Sequence, residues 1–193
     1  MFDFVKGYKA FDGLRKNQYG VTFKAGEFYE SENPIVVPGM YDPDRMNGYH
    51  MSIWLGNVFR FFDIEKEGIE VATVNGFGNC RKFEDDYNGY YDMYVCENLL
   101  VKKFLLRDEY ANIILKEPID SIKNFIRTFP MNEDEKKIFM NKFEKDIDIR
   151  NALLYYQYGE KDIYDKPRQL SLRKWFYGWD NYKRSKRKQF KEC

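Results

Sequence analysis

The hydrophobic period of this chain changes once, and that change limits the folds open to it. In GIEVATVNG (68–76), Ile69, Val71 and Thr73 share one face while Glu70, Ala72 and Val74 share the other. Alternation of this kind is the period of a pleated strand. In DEYANIIL (108–115) the apolar positions recur instead at helical spacing. The switch falls near Arg107.

Upstream of it the pattern is strand-like. VKGYKAF and YGVTFKAGEFYE are short, aromatic and punctuated by Gly. ENPIVVPGMYDPDR carries three prolines, which leaves IVV (35–37) as a short strand between breakers. SIWLGNVFRFF (52–62) suits a short buried helix, although Gly56 counts against one. GFGN (76–79) and Asn88-Gly89 read as turns, and MYVCENLLVKKFLL (93–106) as one long or two short strands. Downstream, Pro118 and Ser121 open the helix of SIKNFIRTF, and Pro130 ends it. Asn132 is placed to cap the next helix, with Glu133, Asp134 and Glu135 in its first turn. Helical spacing then runs on to Gly159. The expected fold class is α+β, with a mostly-β compact domain over residues 1–106 and a helical region over 107–193.

Charge is distributed unevenly. Residues 166–193 hold ten Lys or Arg against Asp180 and Glu192, a local +8, so residues 1–165 carry −7 of the overall +1. Within the basic end Trp175, Trp179 and Tyr182 fall at helical spacing, followed by Lys183, Arg184, Arg187, Lys188 and Lys191. Aromatics beside cations can stack bases and neutralise phosphates. They can equally pack on a preceding helix while the cations meet solvent. The candidate binding residues are therefore Arg173, Lys174, Trp175, Trp179, Lys183, Arg184, Arg187, Lys188 and Lys191, facing nucleic acid, a protein partner or the acidic body of the same chain. The acid run Glu84-Asp85-Asp86 reads as a solvated loop.

Composition excludes several classes. At 44% hydrophobic residues the chain can build a core. Cys80, Cys96 and Cys193 are odd in number and lack metal-ligand spacing. MFDFVKGYKAF has no long apolar run, and no stretch approaches the roughly 18 apolar residues of a membrane span. A soluble, reduced, cytoplasmic protein without a cofactor is expected, with no membrane partner.

Catalytic signals are sparse. His50 is the single histidine, in NGYHMSIWLGNVFRFF (47–62). Ser52, Asp42 and Asp44 lie near it in sequence, without the spacing of a known catalytic set. One histidine cannot build the usual metal sites. DPDRMNG (42–48) fails the calcium-loop pattern, because Asn47 stands where Gly is needed and Ile53 where Glu is needed. GFGN is not a phosphate-binding glycine motif. No catalytic residue and no metal ligand is assigned, and His50 is expected to be a structural group at a strand end.

Taken in order, GYKAF, FKAGEFYE, GYHMSIWLGNVFRFF, IEVATVNG and LLVKKFL resemble an uncharacterised domain common in phage and prophage proteins. Gly48, Tyr49, His50, Val58, Phe61, Phe62, Val71 and Gly76 carry the match over about residues 7–105. The chain departs from that pattern at SIWLG (52–56), where the domain has C-x-N-P. Ile126-Arg127, Ile149-Arg150 and Leu172-Arg173 recur at intervals of 23 residues. DIDIRNALL resembles the motif of degenerate leucine-rich-variant or HEAT-like helical repeats. The resemblance implies a phage or mobile-element origin and a compact mostly-β fold, and carries no activity of its own. With no catalytic set, many aromatics and strong charge asymmetry, a phage-type interaction protein is expected that binds and inhibits a host protein or ribonucleoprotein complex, as an anti-CRISPR inhibits a defence nuclease. Two alternatives stand beside it. One is an ADP-ribosyltransferase-like enzyme built around His50, Tyr49 and Asp44, although the Arg or His, Ser or Tyr and late Glu of that fold have no evident counterparts here. The other is a nucleic-acid-binding accessory protein that uses the basic C-terminal end.

Overall fold

The computed structural model describes residues 4–11, 13–15, 21–31, 48–59, 68–82 and 92–159. The fold is α+β. Five antiparallel strands come first: β1 (Val5–Phe11), β2 (Phe28–Glu30), β3 (Tyr49–Ser52), β4 (Glu70–Lys82) and β5 (Met93–Phe104). A single helical turn, α1 (Leu55–Val58), follows β3. Helices α2 (Arg107–Ile114), α3 (Ile119–Thr128), α4 (Glu133–Lys142) and α5 (Ile147–Gln157) follow β5. IVV (35–37), DPDRMNG up to Asn47, the acid run 84–86, Asn88-Gly89 and the whole basic C-terminal end lie outside the described residues.

The strands close into a small barrel. Their order is β2-β5-β3-β1-β4, and β4 also pairs with β5. β5 makes this possible by length. It takes β3 against Met93–Cys96 and β2 against Asn98–Leu100, while β4 pairs with it from Tyr94 to Phe104. Closure leaves few unpaired strand edges. The interior is filled by Phe11, Phe23, Met51, Ala72, Val74, Cys96, Leu99 and Val101. Ala72 and Val74 thus point inward, and Val71 and Thr73 outward, as the alternation of GIEVATVNG requires.

Two expectations change here. GFGN does not turn: β4 runs through it, because β5 offers a partner along the whole stretch. The irregularity becomes a bulge. Phe77 pairs with Asn98 and Cys80 with Cys96, so β4 carries one residue more than β5 in that interval. Gly78 takes up the bulge with φ +75°, a conformation L side chains rarely adopt. The same register overturns the expectation of reduced cysteines. Cys80 and Cys96 face each other across the β4–β5 ladder with Cα atoms 4.1 Å apart, and their sulfurs are bonded. A spacing of 16 residues gives no sign of this, since strand pairing and not sequence distance brings the two together.

Part of the outer barrel surface is covered by helices. Phe59, which follows α1, packs its ring against Tyr110 of α2, Phe125 of α3 and Phe129, with centroids 4.8–5.6 Å apart. Val71 and Val95, outward-facing residues of β4 and β5, are fully buried. α1 is too short to persist alone. Its first two amides, Leu55 N–H and Gly56 N–H, donate to the Glu117 carboxylate at 2.7 and 3.1 Å, and the Ser121 hydroxyl donates to the same group at 2.6 Å. Ser121 thus sits inside α3, buried, with Pro118 at the N-cap. Gly56 is required by contact: a Cβ there would collide with the Ser121 carbonyl of α3.

The contacts of the chain group into two compact units, Met1–Glu135 and Lys136–Cys193. The sequence boundary at 106/107 marks the change of period, whereas this division follows packing. α4 begins with a reciprocal cap: Glu135 N–H donates to Asn132 Oδ1 at 2.9 Å and Asn132 N–H to the Glu135 carboxylate at 2.7 Å. The cap is at the residue its sequence predicts. In the second unit Phe139, Ile149, Ala152 and Leu153 are buried, Asp146 caps α5 through Ile149 N–H, and Gly159 ends the segment with φ +72°. Ile126-Arg127 lies in the last turn of α3, and Ile149-Arg150 in the first turn of α5.

Gly56→Ala should therefore destabilise the first unit by about 1–3 kcal/mol, the usual cost of forcing a methyl into a packed contact. Urea unfolding checks it, and a midpoint equal to that of the parent chain contradicts the described approach of α1 to α3.

Candidate functional site: an open aromatic and lysine face of the barrel

The outward side chains of β1 grade from open to covered. Phe4 and Lys6 are exposed, Tyr8 is half-buried, and Ala10 is buried. β4 runs antiparallel beside it, with Lys6 opposite Asn75 and Tyr8 opposite Thr73. Val71 is covered, while Thr73, Asn75 and Phe77 are partly accessible. The helices thus shield one end of this surface and leave the other open.

Two bulges shape the open end. Between Thr73 and Val74 the partner on β5 jumps from Lys103 to Val101, so Lys102 is the additional residue. The second bulge, at Gly78-Asn79, follows Phe77. Bulges re-aim side chains, and here they flank one face. Between them lies a groove of about 520 Å³ lined by Phe4, Lys6, Tyr8, Ile53, Thr73, Asn75 and Lys102 among others, with two lysines and no acid among its described lining residues. Beside the groove three phenyl rings meet. Phe77 stands 5.5 Å from Phe4 and 5.7 Å from Phe28 between centroids. Phe4 is 43% exposed and Phe28 49%. The Lys6 ammonium lies 5.5 Å from the Phe4 ring.

Acids lie around the rings as well: Glu30, two residues from Phe28 on the same face of β2, is exposed, and the others named next hold partners. The Glu97 carboxylate accepts from Asn79 N–H at the second bulge, and Glu27 accepts from the Tyr29 hydroxyl and pairs with Lys24. Lys103, next to Lys102, pairs with Glu109 at 2.6 Å. At the covered end of the groove burial, with the Glu117 charge adding to it, raises the Tyr8 phenol above its usual range. Burial likewise raises Glu117 itself.

His50 lies outside this face. It is on β3 opposite Val95, and its carbonyl accepts from Lys9 Nζ at 2.9 Å. Burial, with the Lys9 charge adding to it, lowers the imidazole to about 4, and burial lowers Lys9 to about 8. Tyr49 donates its hydroxyl to the Glu30 carbonyl, and Ser52 is buried with its Oγ accepting from Trp54 N–H. Asp42 and Asp44 lie outside the described residues, as do all nine candidate binding residues of the C-terminal end. Among the described residues no group of three or more His, Cys, Asp or Glu side chains is placed to hold a metal ion. None of the described helices is long and apolar enough to cross a membrane.

Sequence reading missed the open face. Phe4, Phe28 and Phe77 lie far apart along the chain, and only the register shows that they meet. The available signal was Phe77 inside a Gly-Phe-Gly run and the Lys102-Lys103 pair in a strand, both irregular for a buried sheet. No family model matches the chain, and no curated protein or solved structure matches it either.

His50 is the chain's single histidine, so its ring protons titrate without ambiguity. Proton NMR should place their midpoint near 4, against the ordinary 6.5. Between those values the unfolded chain binds more protons, so stability is complete above 6.5 and falls as pH drops toward 4. Its full extent is on the order of 3 kcal/mol. A midpoint near 6.5 contradicts the buried placement.

Proposed function

We infer that the open barrel face binds a single-stranded nucleic acid, with bases stacked on Phe4, Phe28 and Phe77 and the phosphate backbone following Lys6 and Lys102. The observation that carries this reading is the cluster of three contacting rings, two of them nearly half-exposed, beside a groove flanked by lysines. Apolar side chains that meet in one exposed patch commonly mark a contact surface, whereas single exposed ones do not. A π-face accepts any base, and a nearby cation that meets a phosphate releases counterions. Single strands suit this face better than duplex, whose bases already stack on one another. Thr73 and Asn75, outward between the lysines, supply neutral hydrogen-bonding groups. Their position suits sugar and phosphate contacts and gives no basis for strong sequence preference.

The basic C-terminal end supports the same class of ligand through its local +8. On this reading the tail gathers phosphate over a distance and the barrel face holds the bases. Inhibition of a host complex rests on the absence of a catalytic set, the many aromatics and the charge asymmetry, and a protein inhibitor of that kind would be expected to ignore a free oligonucleotide.

Fluorescence anisotropy of a labelled oligothymidylate with the full chain tests the proposal. Phe77→Ala should weaken binding about tenfold, in line with the ~1–3 kcal/mol that base–aromatic stacking contributes. Lys6→Gln with Lys102→Gln should flatten the dependence of log affinity on log salt by roughly 0.7 for each phosphate no longer neutralised. Unchanged affinity and salt slope in both variants would remove the barrel face from consideration, whatever the tail does.

A further inference from the structure

We propose that the Cys80–Cys96 bond is a redox control on this face: oxidation fixes the end of β4 that positions Phe77, and reduction releases it. The inference rests on the nucleic-acid reading only for its effect on binding. Its structural half stands alone.

Phe77 is the central ring of the cluster and the last β4 residue before the Gly78-Asn79 bulge. Beyond the bulge Arg81 and Lys82 are exposed. Besides the strand ladder, the contacts of that end among the described residues include Asn79 N–H donating to Glu97 at 3.2 Å and the Lys82–Asp92 ion pair at 2.9 Å. Contacts of this kind at an exposed surface hold weakly. Among the described residues of this end, Cys80 is the one that packs against the barrel core, and it is bonded there to the fully buried Cys96. Cys96 in turn fills the space beside Gly76, where a Cβ would collide with its Sγ, and its sulfur lies 4.0 Å from Met51 Sδ. The bond therefore ties the outer side of the bulge to a closely packed part of the core, at the midpoint between Gly78 and Lys82.

The two sulfurs differ in access. Cys80 is half-buried and Cys96 is fully buried, so Cys80 is the cysteine of the pair that a small thiolate would meet first. Attack there forms a mixed disulfide and breaks the Cys80–Cys96 bond. Cys96 leaves as a thiolate and takes a proton from solvent. A second small thiol then resolves the mixed disulfide, freeing the Cys80 thiol and a small-molecule disulfide. Two electrons and two protons have entered the protein. The reduced ladder retains its hydrogen bonds but loses the cross-link that limits how far β4 separates beyond Gly78.

The test uses the full chain with Cys193→Ser, so that no third thiol exchanges, in oxidised form and after reduction by a dithiol. Thiol titration first counts the free sulfurs. Amide hydrogen exchange at Asn79–Lys82 and anisotropy of labelled oligothymidylate are then measured in both forms and in Cys80→Ser. The expected result is no free thiol when oxidised, exchange at Asn79–Lys82 at least about tenfold faster when reduced, several-fold weaker binding when reduced, and Cys80→Ser matching the reduced form with or without dithiol. Two free thiols in the oxidised sample, or equal exchange in both forms, would overturn the proposal. Faster exchange with equal affinity would overturn the control of binding. Faster exchange with no binding in either form would instead overturn the nucleic-acid reading and leave the redox release of β4 standing.

Discussion

The pairing of β5 along both of its edges is the interaction on which the first unit depends. β4 occupies one edge from Tyr94 to Phe104, and β3 and β2 share the rest of the strand's pairing. Remove that arrangement and the barrel opens, because β1 reaches β5 only through β3 and β4. Pairing on this scale also fixes faces. A slip of one residue would turn Val95 and Cys96 inside out and send the outward set of β4 into the core. Val95 on the outer face and Cys96 inside the barrel both have no exposed surface, so burial on both faces holds the register.

That constraint explains how one surface comes to be both sticky and open. The helices cover Val71 and Ala10, and Phe59 seals the joint against Tyr110, Phe125 and Phe129. Farther along the same strands the pattern changes to Lys6, Thr73, Asn75 and Lys102, with Phe4, Phe28 and Phe77 at the rim. Rings and cations are not what a strand needs to pack against a helix.

Much of the fold is legible in the sequence because local chemistry and global packing agree. Ile69, Val71 and Thr73 announce a strand, Asn132 with Glu135 announces a helix start, and both form. Gly56 argues against helix on propensity, yet α1 forms, because Glu117 caps it and Ser121 needs the space a side chain would fill. Neither partner is visible from residues 52–62. GFGN reads as a turn by composition and is a bulge by pairing. The Cys80–Cys96 bond and the three-ring cluster share that origin, since each joins residues that only strand register brings together. The position of His50 on β3 is not legible beyond its place in an apolar stretch, and its low affinity for protons follows from burial, with the Lys9 charge adding to it.

The central claim is that ligand meets the outward residues of β1, β4 and β5 at the open end of the barrel. Amide chemical-shift mapping of the full chain with a short oligothymidylate tests it directly. The account predicts the largest changes at Lys6, Thr73, Asn75, Phe77, Leu100 and Lys102, with Val71, Val95 and the α2–α3 segment little affected. Changes confined to the basic end, or spread over the helical side with the open face silent, would contradict it.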